Sequence, residues 1–219
     1  MSDALVDEIA ERLAGIKERI AAAGGDPGRV RIVGVSKTFD ADHARAAVGA
    51  GLTHLGENYA GELIEKAEVL SDLPISWHYL GAIQTNKVGK LAPVVSCFES
   101  TARERELAAI ATRSPGAHAM VQVDLTGLPQ RNGAHPDEVE HLVARGRALG
   151  LDVVGLMTVA LPEPDAARAA FRRLRSMATD LGLAECSMGM TEDLEIAVEE
   201  GSTEIRIGRA LFGFRAPRG

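Results

Sequence analysis

Cysteine is nearly absent from this chain: Cys97 and Cys186 are the only two among 219 residues. A core of that size needs no covalent staple, so both read as reduced thiols of a cytoplasmic protein, and neither sits in a metal-binding or redox pair. Long apolar runs are missing too. No segment reaches the roughly 18 to 20 uninterrupted apolar residues of a membrane span. The opening stretch, Met1 to Ala23, carries Asp3, Asp7, Glu8 and Glu11 where a signal peptide would be cationic and then apolar. Concentrated positive charge is a third absence. Against 24 basic residues stand 31 acidic ones, for a formal net charge of -7, and pairs such as Arg172-Arg173 read as solvated helix faces. A nucleic-acid or anionic-membrane surface would need a positive patch. No nucleophile elbow, Walker loop or dinucleotide fingerprint occurs.

What is present is the composition of an ordinary globular protein, 46% hydrophobic and 25% charged, with no boundary or low-complexity segment to divide it. One domain over 1–219 is expected. Ser2 is a candidate cap for a first helix, on which Leu5, Ile9, Leu13, Ile16 and Ile20 form one apolar stripe before Gly24-Gly25-Asp26-Pro27 stops it. Strand-like segments then recur: Ile32 to Val35, Thr53 to Asn58, Ile75 to Leu80, Val94 to Phe98, Met120 to Leu125, Val153 to Met157, Glu185 to Met188 and Thr203 to Ile207. Most are separated by a helical pattern and short loops. Asp40 is a candidate cap for one of these helices, and Pro136 opens another where proline is best tolerated.

Such alternation argues for parallel strands joined by right-handed crossovers. Eight units in a chain of this length fit a closed (β/α)8 barrel with an extra N-terminal helix better than an open doubly wound sheet, which periodicity alone leaves possible. In a barrel the active face is built from the carboxyl ends of the strands. The polar residues there are Lys37, Glu57, Asn58, Gln84, Asn86, Asp124, Thr158, Ser187 and Arg206, with Gly208.

Two of these carry chemistry. Lys37 closes the buried run Ile32-Val33-Gly34-Val35-Ser36. Either its stem lies along the core with the ammonium in water, or its amine sits in a partly dry pocket as a nucleophile toward an aldehyde. At the last strand, Gly208-Arg209-Ala210 leads straight into a helix, which is either an ordinary turn or an anion site of the kind that recurs after strands seven and eight of barrels. Glu204 and Arg206 share one face of that strand. Trp77 reads as core, His78 as a hydrogen-bonded strand histidine, and His43 and His54 as too isolated for metal ligands. Asp124 either orients a ligand or caps the loop after it.

Several blocks, taken together and in order, resemble the pyridoxal phosphate homeostasis protein family. They are Val35-Ser36-Lys37-Thr38, Gly56-Glu57-Asn58-Tyr59, Trp77-His78-Tyr79-Leu80-Gly81 with Gln84-Thr85-Asn86-Lys87, Gly155-Leu156-Met157, Ser187-Met188-Gly189-Met190, and Gly201 to Gly208 closing with Leu211-Phe212-Gly213. The resemblance implies a barrel similar to the N-terminal domain of alanine racemase, with pyridoxal 5'-phosphate (PLP) held as a Schiff base on Lys37. It implies that Ser187, Gly208 and the backbone around Arg209 hold the phosphate, that Arg206 faces the pyridine nitrogen, and that Asn58, Met157 and Met188 line the pocket. An arginine there disfavours protonation of the ring and makes it a weak electron sink. The chain departs from the family pattern at Phe39-Asp40, Gly61, Leu128 and Arg131, so no role is assigned to those positions.

Two functions follow. The first is a non-catalytic PLP carrier of intracellular homeostasis, monomeric, with apo PLP-dependent enzymes as recipients. The second is an amino-acid racemase or related PLP enzyme. Racemisation needs a second base opposite Lys37, and in alanine racemase a tyrosine of a further, β-rich domain supplies it. Tyr59 and Tyr79 match no such position, and the sequence continues only a few residues past the last barrel unit, so the carrier is favoured.

Overall fold

The computed structural model describes residues 3–129 and 131–213; Ser2, proposed above as a cap, lies outside them. The chain begins with α1 (Asp3–Ala22), whose Ile9, Leu13, Ile16 and Ile20 are buried as their spacing predicts. Then come β1 (Arg31–Val35), α2 (Ala41–Gly49), β2 (His54–Glu57), α3 (Ala60–Val69), β3 (Ser76–Tyr79), α4 (Val88–Leu91), β4 (Val95–Thr101) and α5 (Glu104–Arg113). The second half adds β5 (His118–Gln122), a 3-10 turn (Pro136–Glu138) leading into α6 (Val139–Ala148), β6 (Asp152–Met157), α7 (Pro164–Asp180), β7 (Glu185–Ser187), α8 (Leu194–Glu199), β8 (Glu204–Ile207) and α9 (Arg209–Phe212). All eight strands are parallel and pair in chain order. β8 returns to β1 in the register Arg31↔Glu204 to Gly34↔Ile207, which closes the expected barrel.

Alternation along the strands sorts the side chains into two environments. One set, including Ile32, Leu55, Trp77, Phe98, Val121, Leu156, Ile205 and Ile207, faces outward and packs under the helices in one large apolar layer. The other set faces the barrel axis, where Cys97, Met120 and Met157 form a small apolar cluster. Between them the axis carries His78, Glu99, Ser187, Glu204 and Arg206, all buried. The α1 helix packs against α2, α8 and α9 on the outer ring, and Arg19 fixes it there through two hydrogen bonds to Glu195 of 2.6 and 2.9 Å.

Most strand boundaries shift by a residue from those expected, and two shift further. β4 runs on past Phe98 to Thr101, because the polar residues that end its apolar run are themselves buried inside the barrel. β5 starts at His118 and stops at Gln122, so Asp124 lies beyond the strand, where its Oδ1 accepts from Thr126 N at 2.9 Å and caps the loop. The short α4 had no counterpart in the sequence reading. Asp40 does cap α2, accepting from His43 N at 3.1 Å.

Close approach demands glycine at position 81. A Cβ on Gly81 would lie 1.9 Å from the Asn58 carbonyl oxygen, where the chain leaving β3 crosses the chain leaving β2. Gly61, inside α3, has open space around it. Gly81→Ala is therefore expected to cost about 3 kcal/mol, since backbone and not a side-chain tip must move. Gly61→Ala should be neutral or stabilising by up to about 1 kcal/mol, from helix propensity. Urea denaturation of both variants checks the contrast; equal effects would place the crossing elsewhere.

Candidate functional site

The carboxyl ends of the strands enclose a cavity of about 820 Å³ whose walls include Lys37, Asn58, Met157, Arg206, Gly208 and Arg209. Six of the eight residues named from sequence thus share one wall system. Val35, Leu80 and Val159 give it an apolar component, and Gln122, Asn132 and Thr191 a polar one. Lys37 stands two residues beyond the end of β1, half-buried, in a four-residue turn closed by Phe39 N donating to Ser36 O at 3.1 Å. Asn58 Oδ1, at the exit of β2, is buried without a hydrogen-bond partner. A buried acceptor left unsatisfied marks a place where a ligand group or water belongs.

Beside the cavity, Gly189 takes a φ of +99°, a left-handed turn suited to glycine. It carries the chain from the end of β7 to Thr191, whose Oγ1 accepts from Ala210 N at 3.4 Å. Thr191, Gly208 and Arg209 so form one corner of the cavity. Arg209 is ion-paired there with Glu192.

Arg206 forms the floor and reaches the solvent side of a deeper network. Its NH2 donates to Thr158 O at 2.7 Å and its NH1 to Ser187 Oγ at 2.6 Å. Ser187 Oγ donates in turn to Glu99 Oε2 at 2.6 Å, and the other Glu99 oxygen meets His78 Nδ1 at 2.6 Å. His78 Nε2 lies 3.0 Å from His54 Nδ1. On the far side Arg31 NH1 donates to Glu204 Oε2 at 3.0 Å.

The charges sort themselves by these contacts. Burial pushes Glu204 up to about 7, and the Glu99 carboxylate adds to the rise. Glu99 is buried too, yet its bonds and charge contacts with His78 and Arg206 outweigh burial and hold it below the usual carboxylate range. Burial would lower His78, but the Glu99 hydrogen bond and charge more than offset it and the net shift is upward. Burial, with His78 next door, lowers His54 to about 4. A consistent assignment has His78 donating from both ring nitrogens, to Glu99 and to a neutral His54. Ligand atoms of His78, Glu99 and Glu204 lie within 4.8 Å of one another, the spacing of a metal site. His78 and Arg206 favour the charge on Glu99 while Glu204 is pushed up, so the cluster reads as one that shares protons.

Other residues named from the sequence sit elsewhere. Ser187 lies beneath the floor, its hydroxyl taken up between Glu99 and Arg206, and Met188 points outward into the apolar layer, because successive strand residues face opposite ways. Gln84 and Asn86 are exposed in the loop after β3. Glu57, expected at the active face, instead turns outward toward α3 and is buried against Lys66. Two residues went unrecognised. Glu99 follows the apolar run that ends at Phe98, where a charged residue resembles the start of a loop. Thr191 follows Gly189-Met190, and the glycine turn was the signal that could have led to it.

The sequence profile described as "Alanine racemase, N-terminal domain" matches residues 6–216. A pyridoxal phosphate homeostasis protein of Pseudomonas aeruginosa is 40% identical over 96% of this chain and 96% of its own. Among solved structures, PipY of Synechococcus elongatus with PLP bound superposes with a TM-score of 0.82 at 32% identity, covering 94% of this chain and all of that one. An alanine racemase from Corynebacterium glutamicum shares the fold at a TM-score of 0.72 and 17% identity, over 95% of this chain and 62% of its own.

The raised Glu204 has a stability consequence whose sign is fixed. Between its ordinary value of 4.5 and about 7 the folded chain holds a proton that the unfolded chain has released. Stability contributed by this group is therefore lost as pH rises through that window. Glutamine cannot ionise, so Glu204→Gln should gain on the parent protein by on the order of 2 kcal/mol between about pH 5 and pH 8. Paired urea melts at the two pH values measure it; a constant difference would mean that Glu204 does not titrate there.

Proposed function

This chain belongs to the alanine racemase N-terminal domain family and, within it, to the pyridoxal phosphate homeostasis proteins, and from that premise we propose that it is a PLP carrier. In this reading residues 1–219 act as one cytoplasmic, monomeric PLP-binding unit. PLP attaches reversibly to the Lys37 amine, and the bound cofactor is released to apo PLP-dependent enzymes. The observation that carries it is the convergence of Lys37, the unsatisfied Asn58 Oδ1, Arg206 and the Thr191-Gly208-Arg209 corner on one cavity. An aldehyde, a phosphate and a polar heteroaromatic ring each find a matching group there.

Bound PLP supplies an aldehyde to the lysine amine and, in enzymes, an electron sink for a substrate carbanion. The protein's own part is binding and orientation. The Gly208-Arg209 backbone and Thr191 offer donors to a phosphate, in the place where the sequence resemblance put Ser187. Arg206 keeps a permanent positive charge on the floor, which opposes protonation of a ring nitrogen beside it. That favours a holding role over carbanion chemistry.

The racemase reading requires a second proton carrier facing Lys37. Among the described residues lining the cavity, the other ionisable groups are Glu192, Arg206 and Arg209. Glu192 is engaged by Arg209, and arginine does not release its proton at neutral pH. Tyr79 is buried, its hydroxyl directed at Ala82 O at 3.4 Å. No helix among the described residues is long and apolar enough to cross a membrane.

Protein mixed with PLP should become yellow and lose that colour on borohydride reduction, with the pyridoxyl mass on the peptide containing Lys37. Lys37→Ala should abolish the adduct while retaining part of the bound PLP through the phosphate corner. An adduct of undiminished yield in Lys37→Ala would sink the lysine assignment. Solvent deuterium appearing at Cα of alanine or serine incubated with PLP-loaded protein would instead favour the racemase.

A further inference from the structure

Lys37 is flanked by two peptide groups, and side chains of one helix hold both. On its amino side, Lys66 Nζ donates to Ser36 O at 2.8 Å. On its carboxyl side, Thr38 N donates to Glu62 Oε2 at 2.8 Å. Glu62 and Lys66 lie one turn apart on α3, which puts both on the face toward the barrel. Their charged ends are 3.9 Å apart. Behind them Glu57 Oε1 accepts from Lys66 Nζ at 2.5 Å and from Ser36 Oγ at 2.7 Å.

The turn so held is a strained one. Thr38 has a φ of +69° and is the only non-glycine residue in the left-handed region among those described. It occupies the third position of the Ser36-to-Phe39 turn, where a positive φ ordinarily selects glycine and disfavours a β-branched residue. On its other side the turn borders a second cleft of about 460 Å³ lined by Thr38, Phe39, Glu62 and Lys66. Lys66 is 5% exposed and Glu57 fully buried. A buried ion pair of this kind adds little to stability over an apolar pair of similar volume, so a strained turn held by charges calls for another reason.

We propose that Glu62 and Lys66 are positioning residues for Lys37. They grip the peptide on either side of it, hold Thr38 in its left-handed conformation and so aim the lysine amine into the cavity. The proposal rests on Lys37 being the PLP attachment point, and its test separates the two ideas. Glu62→Ala removes one point of the grip and leaves the cavity wall intact. In that variant the share of bound PLP that borohydride fixes to Lys37 should fall about tenfold against total PLP bound, the order expected for one lost hydrogen bond to a charged group. Adding Thr38→Gly should restore it, since glycine adopts a positive φ without strain; a purely structural loss would not be rescued this way. In cofactor-free protein, amide exchange at Thr38 and Phe39 should quicken about tenfold in Glu62→Ala. Should Glu62→Ala fail to fold, Glu62→Gln, a neutral and weaker acceptor, carries the same test with an effect of about twofold. An unchanged covalent share, or no recovery with Thr38→Gly, overturns the proposal. If the parent protein takes no PLP at all, the carrier reading falls while quickened exchange still upholds the grip, and unchanged exchange overturns the grip as well.

Discussion

Glu99 is a carboxylate sealed inside a barrel, and the polar residues along the axis are arranged around its charge. Water cannot reach it, so its two oxygens must be answered by protein groups, His78 on one side and Ser187 on the other. Ser187 passes the interaction to Arg206, whose second hydrogen bond, to the Thr158 carbonyl, fixes the guanidinium in plane. The cavity floor is therefore a consequence of a buried charge below it. A cation presented to a ligand needs an anion behind it, and here the anion is one strand layer deeper.

The same geometry explains why the neighbours differ in protonation. Two carboxylates close together in a dry interior do not both stay ionised without sufficient cations. Glu99, touching His78 and linked to Arg206 through Ser187, keeps its charge, and Glu204, with one oxygen unsatisfied and the other facing Arg31, is the one pushed up. Two polar systems result. The axial one stands under Arg206, and the one between barrel wall and α3 stands behind Lys37. They reach the cavity from opposite faces of the sheet, at the exits of β8 and β1, which are neighbours only because the barrel closes.

Much of this was legible in the chain. Alternating apolar segments and helix stripes required parallel strands under helices, and the count favoured closure. Lys37, Asn58, Met157, Arg206, Gly208 and Arg209 could be named because each stands at the end of such a segment or within a matching motif. Glu99 could not, because a charged residue after an apolar run looks like the start of a loop. Only partners 21 and 88 residues away make it acceptable inside a strand. Ser187 could be assigned to the anion corner only while its direction was unknown. In a parallel barrel one residue's shift reverses the face, so Met188 went outward and Thr191 came to the corner.

The sequence by itself determined the repeating unit, the apolar layer and the lysine at the exit of the first strand, since these follow from local periodicity and from where glycine and proline interrupt it. Tertiary structure decided which polar residues share a dry interior, which carboxylate keeps its proton, and how Lys37 is held. Those depend on distances between residues remote in the chain, and on the desolvation that only a closed barrel imposes.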